Sequence, residues 1–86
     1  MKRFEELSVK NQACQLAREA AGGLAVVGKI KGDIVAIMRD ELRETMSPAS
    51  WAEEVGRRVR VAIPGWVAMK VVNGLMIFRL KHGGVK

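Results

Sequence analysis

The chain has 86 residues, of which 49% are hydrophobic, and a formal net charge of +6. At this length we expect residues 1–86 to form one small domain, because such a chain buries only roughly 60% of the surface it exposes when unfolded. The lone Cys14 excludes an internal disulfide, and the charges near the N-terminus do not fit a signal peptide, so we expect a cytoplasmic protein. The basic excess favours nucleic acid, an acidic protein surface or an anionic membrane surface as a partner.

The first predicted element is a helix from about Phe4 or Ser8 to Ala21. Its apolar residues recur at helical spacing on one stripe: Val9, Ala13, Leu16, Ala17 and Ala20. Gly22 and Gly23 follow and are typical of a helix end.

The next segment, residues 24–31, alternates in a way that favours a short strand, although a helix stays open for Leu24 to Ile30. Asp33 then suits the cap of a second helix. Its apolar stripe would contain Ile34, Val35, Met38, Leu42 and Met46.

A third helix is predicted from Ser47-Pro48 to the break at Ile63-Pro64-Gly65. Its buried face would contain Trp51, Ala52, Val55, Val59 and Ala62.

Two extended runs, from Trp66 to Val72 and from Leu75 to Lys81, flank Asn73-Gly74, which predicts a hairpin with a two-residue turn. Uninterrupted pairing would turn one side of this hairpin to the core: Val67, Met69, Val71, Met76, Phe78 and Leu80. Residues 82–86 are expected to be a flexible tail.

The outer side of the hairpin is the main candidate site. It would present Lys70, Arg79 and Lys81, which can neutralise phosphates, and Trp66, which can stack on a base or sugar. The alternative is that these cations protect a sheet edge from aggregation and that Trp66 lies on Lys81.

Arg57, Arg58 and Arg60 form a second candidate group on the third helix, where they could contact phosphates or the major groove. The alternative is a pair of intrahelical ion pairs, because Glu53 precedes Arg57 by four residues and Glu54 precedes Arg58 by four.

Several functions find little support in the sequence. The apolar stretch Val61 to Phe78 would place Pro64-Gly65, Lys70 and Asn73-Gly74 in hydrocarbon, so we expect no membrane span. His82 is the only histidine and there is no tyrosine, so we expect no enzyme, no metal site and no cofactor.

The predicted order of helix, strand, helix, helix, strand, strand is an α+β pattern that resembles the winged helix-turn-helix class of DNA-binding domains. The resemblance implies that Arg57 and Arg60 lie on the helix that enters the major groove, and that Lys70, Arg79 and Lys81 lie on the wing. It thus favours a small non-catalytic protein that binds double-stranded DNA and acts in transcription regulation or as a phage or mobile-element regulator. A homodimer stays open.

Two other functions stay open. One is a small inhibitor or adaptor, of the kind found in phages and mobile elements, whose basic face binds an acidic protein surface. The other is RNA or single-strand binding on the hairpin, for which two tryptophans would form a thin stacking platform.

Overall fold

In a computed structural model of the protein, the backbone of residues 2–80 and the side chains of residues 11–80 are described. Over this range the chain forms two α-helices and one four-stranded antiparallel sheet. The elements are α1 (Lys2–Ala21), β1 (Ala25–Ile30), β2 (Asp33–Met38), α2 (Pro48–Ala62), β3 (Trp66–Val72) and β4 (Leu75–Leu80). Short 3₁₀ turns at Gly22–Leu24 and Asp40–Glu44 complete the described part.

The predicted three-helix, winged-helix-like order is wrong, because the segment expected to be the second helix contains strand β2. Lys31 and Gly32 have φ angles of 53° and 90° and form a two-residue turn between β1 and β2. Turns of this kind match the twist of the strands that they join. Asp33 therefore begins a strand and does not cap a helix.

Helix α1 ends where its sequence predicts. Gly22 has a φ of 57°, a left-handed conformation that stops the helix before β1 begins. Ala13, Cys14, Ala17 and Ala21 are buried, and such small side chains let a helix approach its neighbours closely. Leu16, predicted for the same stripe, is 42% exposed.

Helix α2 confirms the third predicted helix. The Ser47 hydroxyl accepts a hydrogen bond from the Ser50 amide at 3.1 Å, which caps the helix, and Pro48 occupies the first turn. Trp51, Val55 and Val59 are fully buried, as predicted. The indole Nε1 of Trp51 donates to the Leu24 carbonyl at 2.8 Å, which ties α2 to the start of β1.

The sheet has the strand order β1-β2-β4-β3. Helix α1 packs against β1 and β2, helix α2 packs against β3 and β4, and the two helices contact each other. Both helices therefore cover the same face of the sheet. The strand side chains buried beneath them are Ala25, Val27, Ile34, Ala36, Met38, Trp66, Met76 and Phe78. The opposite face has no described helix packed on it.

Candidate functional site

The β3–β4 hairpin confirms the predicted turn. Asn73 and Gly74 have φ angles of 25° and 92°, and Val72 pairs with Leu75 on either side of them. The pairs of Val71 with Met76 and of Lys70 with Ile77 also agree with the predicted register. Beyond this point the register shifts, because a β-bulge lies between Ala68 and Lys70.

The bulge changes which side chains of β3 face the helices. It pairs Ala68 with Phe78 and Trp66 with Leu80, so Trp66 lies on the covered side and is only 6% exposed. The prediction that Trp66 is a stacking group on the outer side is therefore wrong. Val67 and Met69, which were predicted for the core, are 37% and 47% exposed.

The two described cations of the hairpin differ in what they contact. Lys70 is exposed opposite Ile77, and it forms no ion pair with any described side chain. Arg79 donates two hydrogen bonds to Asp33, from Nε to Oδ1 at 3.1 Å and from Nη2 to Oδ2 at 3.0 Å. These bonds to the carboxylate raise the pKa of Arg79, so its charge is held in a pair within the chain. Lys81, the third predicted cation, lies outside the described residues, as does the predicted tail at 82–86.

The arginines of α2 share one carboxylate. The Nη2 atom of Arg57 lies 2.6 Å from Oε1 of Glu54, and Nε of Arg58 lies 2.7 Å from its Oε2. The hydrogen bonds from Arg57 and Arg58 lower the pKa of Glu54. The predicted pair of Glu54 with Arg58 is present, but Arg57 pairs with Glu54 and not with Glu53. Arg60 is exposed and forms no ion pair with a described residue.

The two predicted basic groups do not meet. Arg57 and Arg60 lie on the outward side of α2, which covers one face of the sheet, whereas Lys70 and Arg79 lie on the opposite face. The cations of the two groups that the structure describes therefore do not form one continuous basic surface.

The opposite face of the sheet is the most distinctive surface of the described residues. Strand pairing arranges its side chains in three rows across β1, β2, β4 and β3. We call these residues the open face: Val26, Ile37, Leu75 and Val72 in the first row; Gly28, Val35, Ile77 and Lys70 in the second; Ile30, Asp33, Arg79 and Val67 in the third.

Most of the open face is aliphatic and accessible. Val26, Ile30, Ile37 and Val72 are 51%, 59%, 49% and 48% exposed. Val35, near the middle, is only 9% exposed because its neighbours on this face cover it. Since Asp33 and Arg79 neutralise each other, Lys70 supplies the single net charge of the open face. Contiguous apolar surface of this kind marks interaction sites in proteins.

Sequence reasoning missed the open face because it assigned Ile34 to Met38 to a helix. The signal that could have found it is the combination of a residue-glycine pair at Lys31-Gly32 with β-branched residues on both sides. With β2 in the sheet, alternate residues of four strands fall on one face.

The described residues contain no group of three or more His, Cys, Asp or Glu side chains that could hold a metal ion. A shallow depression beside α2 is lined by Met46, Ser50, Glu53, Glu54, Arg57 and Arg60. Its charged groups lie at the surface, where water screens them. What the open face can do is bury apolar surface against another molecule.

No protein-family model, characterised protein or solved structure matches this chain. Among the described residues, neither helix combines the length and the apolar character that crossing a membrane requires.

Proposed function

We propose that this protein is a small non-catalytic protein-binding module whose open face packs against the surface of a protein partner. The observation that carries the proposal is the composition of that face: eight aliphatic side chains in register, with one ion pair and one lysine among them. An aliphatic surface gains free energy when another apolar surface covers it, by about 25 cal/mol for each Å² removed from water.

This geometry supports protein binding through aliphatic contacts. It supports neither DNA binding nor an inhibitor or adaptor that places a basic face on an acidic protein surface. Phosphate binding requires cations free to meet phosphate oxygens. Arg57 and Arg58 are engaged by Glu54, and Arg79 is engaged by Asp33. Trp66 is buried and cannot stack on a base. Among the predicted cations that the structure describes, Lys70 and Arg60 form no ion pair with a described residue, and of these two only Lys70 lies on the open face.

The compartment is part of the same proposal. The chain has one cysteine, Cys14, which is a free thiol on the buried side of α1. Proteins of oxidising compartments that are this small commonly depend on disulfides. We therefore place the module in the cytoplasm.

Site-specific photo-crosslinking tests the proposal. A photo-activatable phenylalanine analogue is placed at Val72 or Val26 on the open face, or at Val61 as a control, and the protein is irradiated in the cells that encode it. Val61 is 76% exposed on α2, away from the open face. We expect discrete protein adducts from Val72 and Val26 and none from Val61. Failure of both open-face positions to form a protein adduct contradicts the proposal.

A nucleic-acid measurement separates the two hypotheses. Fluorescence anisotropy with a labelled random duplex, at low and physiological salt, reports phosphate-driven binding. We expect no binding at physiological salt. Salt-sensitive binding that the Lys70→Ala substitution abolishes would overturn the protein-binding proposal and restore the DNA hypothesis.

A further inference from the structure

We infer that the partner covering the open face is a second copy of this chain, in a two-fold symmetric dimer that packs open face on open face. The inference rests on the proposed function, and it names the partner. It comes from a pattern within the face. The residues of β1 and β2 are complementary, row by row, to those of β3 and β4.

The relevant symmetry axis lies between the two sheets, parallel to the strands and midway between β2 and β4. A rotation about this axis places β2 over β4 of the second copy, and β1 over β3. In the first row Ile37 then faces Leu75 of the second copy, and Val26 faces Val72. Each aliphatic side chain in this row therefore packs on another.

The second row contains the glycine of the face. Val35 faces Ile77 of the second copy, and Gly28 faces Lys70. A methyl group built on Gly28 would find no heavy atom of the described residues within 4 Å. The space above this glycine can therefore receive the aliphatic stem of the second copy's lysine, while its ammonium group reaches water at the edge of the sheet.

The third row carries the charges, and the same rotation matches them. Asp33 faces Arg79 of the second copy, and Arg79 faces Asp33. The two ion pairs, each formed within one chain, then lie antiparallel, so that every charge has an opposite charge beside it and another across the interface. Ile30 and Val67 close the row on either side.

The other in-plane axis gives a poor match. A two-fold axis perpendicular to the strands exchanges the first row with the third, so that Asp33 faces Ile37 and Arg79 faces Leu75. It also places Lys70 against Lys70 of the second copy. Burying charge against apolar side chains and bringing like charges together both cost free energy. The pattern of the face thus selects the axis parallel to the strands.

The size of the face sets the strength of the dimer. Strand spacing of about 4.8 Å and a rise of about 3.3 Å per residue give a projected area of roughly 300–400 Å² per copy. Two such faces give roughly 600–800 Å² in all, below the roughly 1,200 Å² of a stable specific interface. We therefore expect a weak dimer, with a dissociation constant of about 1–100 μM. Packed sheets are usually rotated by about 30°, which shifts the outer strands more than β2 and β4. The central pairs should therefore matter most.

Sedimentation equilibrium of the purified full chain tests the dimer. We expect a concentration-dependent dimer for the wild type, and at least a tenfold larger dissociation constant for Ile37→Glu, because the new carboxylate would lie against Leu75 of the second copy. Val61→Glu, outside the face, should leave the dimer unchanged. Circular dichroism confirms that each variant is folded. A wild type that stays monomeric at millimolar concentration, or a dimer that Ile37→Glu does not weaken, overturns the inference.

A charge exchange tests the orientation. The double variant Asp33→Arg with Arg79→Asp keeps the ion pair within each chain. In a dimer of two variant chains, opposite charges again face each other across the interface. Mixed with wild type, however, it would place like charges opposite each other in the heterodimer. We expect both proteins to form homodimers. In an equimolar mixture, heterodimers should make up less than the statistical half of all dimers. Statistical mixing overturns the proposed axis.

The crosslinking and sedimentation experiments test two separate claims, the protein-binding module and the dimer. Open-face adducts of a mass other than twice that of the chain, with a monomeric purified protein, would refute the dimer and leave the protein-binding module standing. Absence of any open-face adduct would refute the module as well.

Discussion

Asp33 and Arg79 form a two-bond ion pair between the start of β2 and the end of β4, with N–O distances of 3.1 and 3.0 Å. This pair joins residues 46 positions apart in the chain. Arg79 was a predicted phosphate contact, and this ion pair engages its guanidinium group. Because Asp33 neutralises Arg79, aliphatic side chains are the main feature of the open face.

The bulge in β3 makes a prediction about Met69 and Phe78. Phe78 is fully buried, so Phe78→Ala should lower the free energy of unfolding by about 3–5 kcal/mol. Met69 is 47% exposed, so Met69→Ala should cost less than about 1 kcal/mol. Urea unfolding of both variants measures the difference. Similar large losses for the two would support the unbulged register, in which Met69 lies in the core.

The two tryptophans should also respond differently to truncation. Trp51→Phe leaves the Leu24 carbonyl without its indole donor and opens space in the core, so we expect a loss of roughly 2–4 kcal/mol. Trp66→Phe also opens space in the core but removes no side-chain hydrogen bond between described residues, so we expect a smaller loss of about 1–2 kcal/mol. Thermal or urea denaturation followed by circular dichroism gives both values. An equal cost would show that the Trp51 hydrogen bond contributes little.

Local sequence signals predicted the elements whose ends they mark. Gly22 ends α1, Ser47-Pro48 begins α2, and Asn73-Gly74 joins β3 to β4. Strand β2 was missed because Ile34, Val35, Met38 and the apolar residues after them also fit a helical stripe. Two strand pairings decide between them: with β1 across Lys31-Gly32, which leaves a local signal in the sequence, and with β4, which joins Ile34 to Phe78 and leaves none.

The candidate site was predicted in part. Lys70 and Arg79 lie on the outer side of the hairpin as expected, because the turn fixes the register close to it. Trp66 does not, because a bulge moves every residue beyond it to the other side. Neither Met69 nor its neighbours carry a glycine or proline that would have signalled the bulge. The ion pair of Arg79 with Asp33 depends on the pairing of β2 with β4. It could not be predicted once this segment had been assigned to a helix.

The β3–β4 turn depends on Gly74. Its φ of 92° strains any other residue, and an added methyl group would meet the guanidinium of Arg43. Gly74→Ala should therefore cost about 1–2 kcal/mol. Gly23→Ala is the matched control, because Gly23 has open space and no left-handed backbone, and it should change stability by less than about 0.5 kcal/mol. Arg43→Ala in the Gly74→Ala variant should recover only the part of the lost stability that comes from the steric clash. If no stability is recovered, the backbone angle accounts for the whole loss.

The pH dependence of stability should report on Glu54. Hydrogen bonds from Arg57 and Arg58 lower its pKa in the folded protein below the ordinary value of 4.5. The stability from these pairs is therefore present above that pH, and it is lost as the pH falls through the lower folded value. Melting temperatures between pH 7 and pH 3 should show Glu54→Gln less stable than wild type at neutral pH, with the gap closing in acid. Glu53→Gln should follow the wild type throughout; a gap that stays constant in acid would mean that the Glu54 charge is not responsible.

The most direct measurement is a dilution series of heteronuclear NMR spectra of the ¹⁵N-labelled protein, from millimolar to low micromolar concentration. We predict concentration-dependent shifts confined to the open face and strongest at Val35, Ile37, Leu75 and Ile77, the central pairs of the proposed dimer. The outward residues of α2, Arg57 and Arg60, should not shift. Spectra that do not change with concentration, or changes centred on α2, would contradict a dimer formed through the open face.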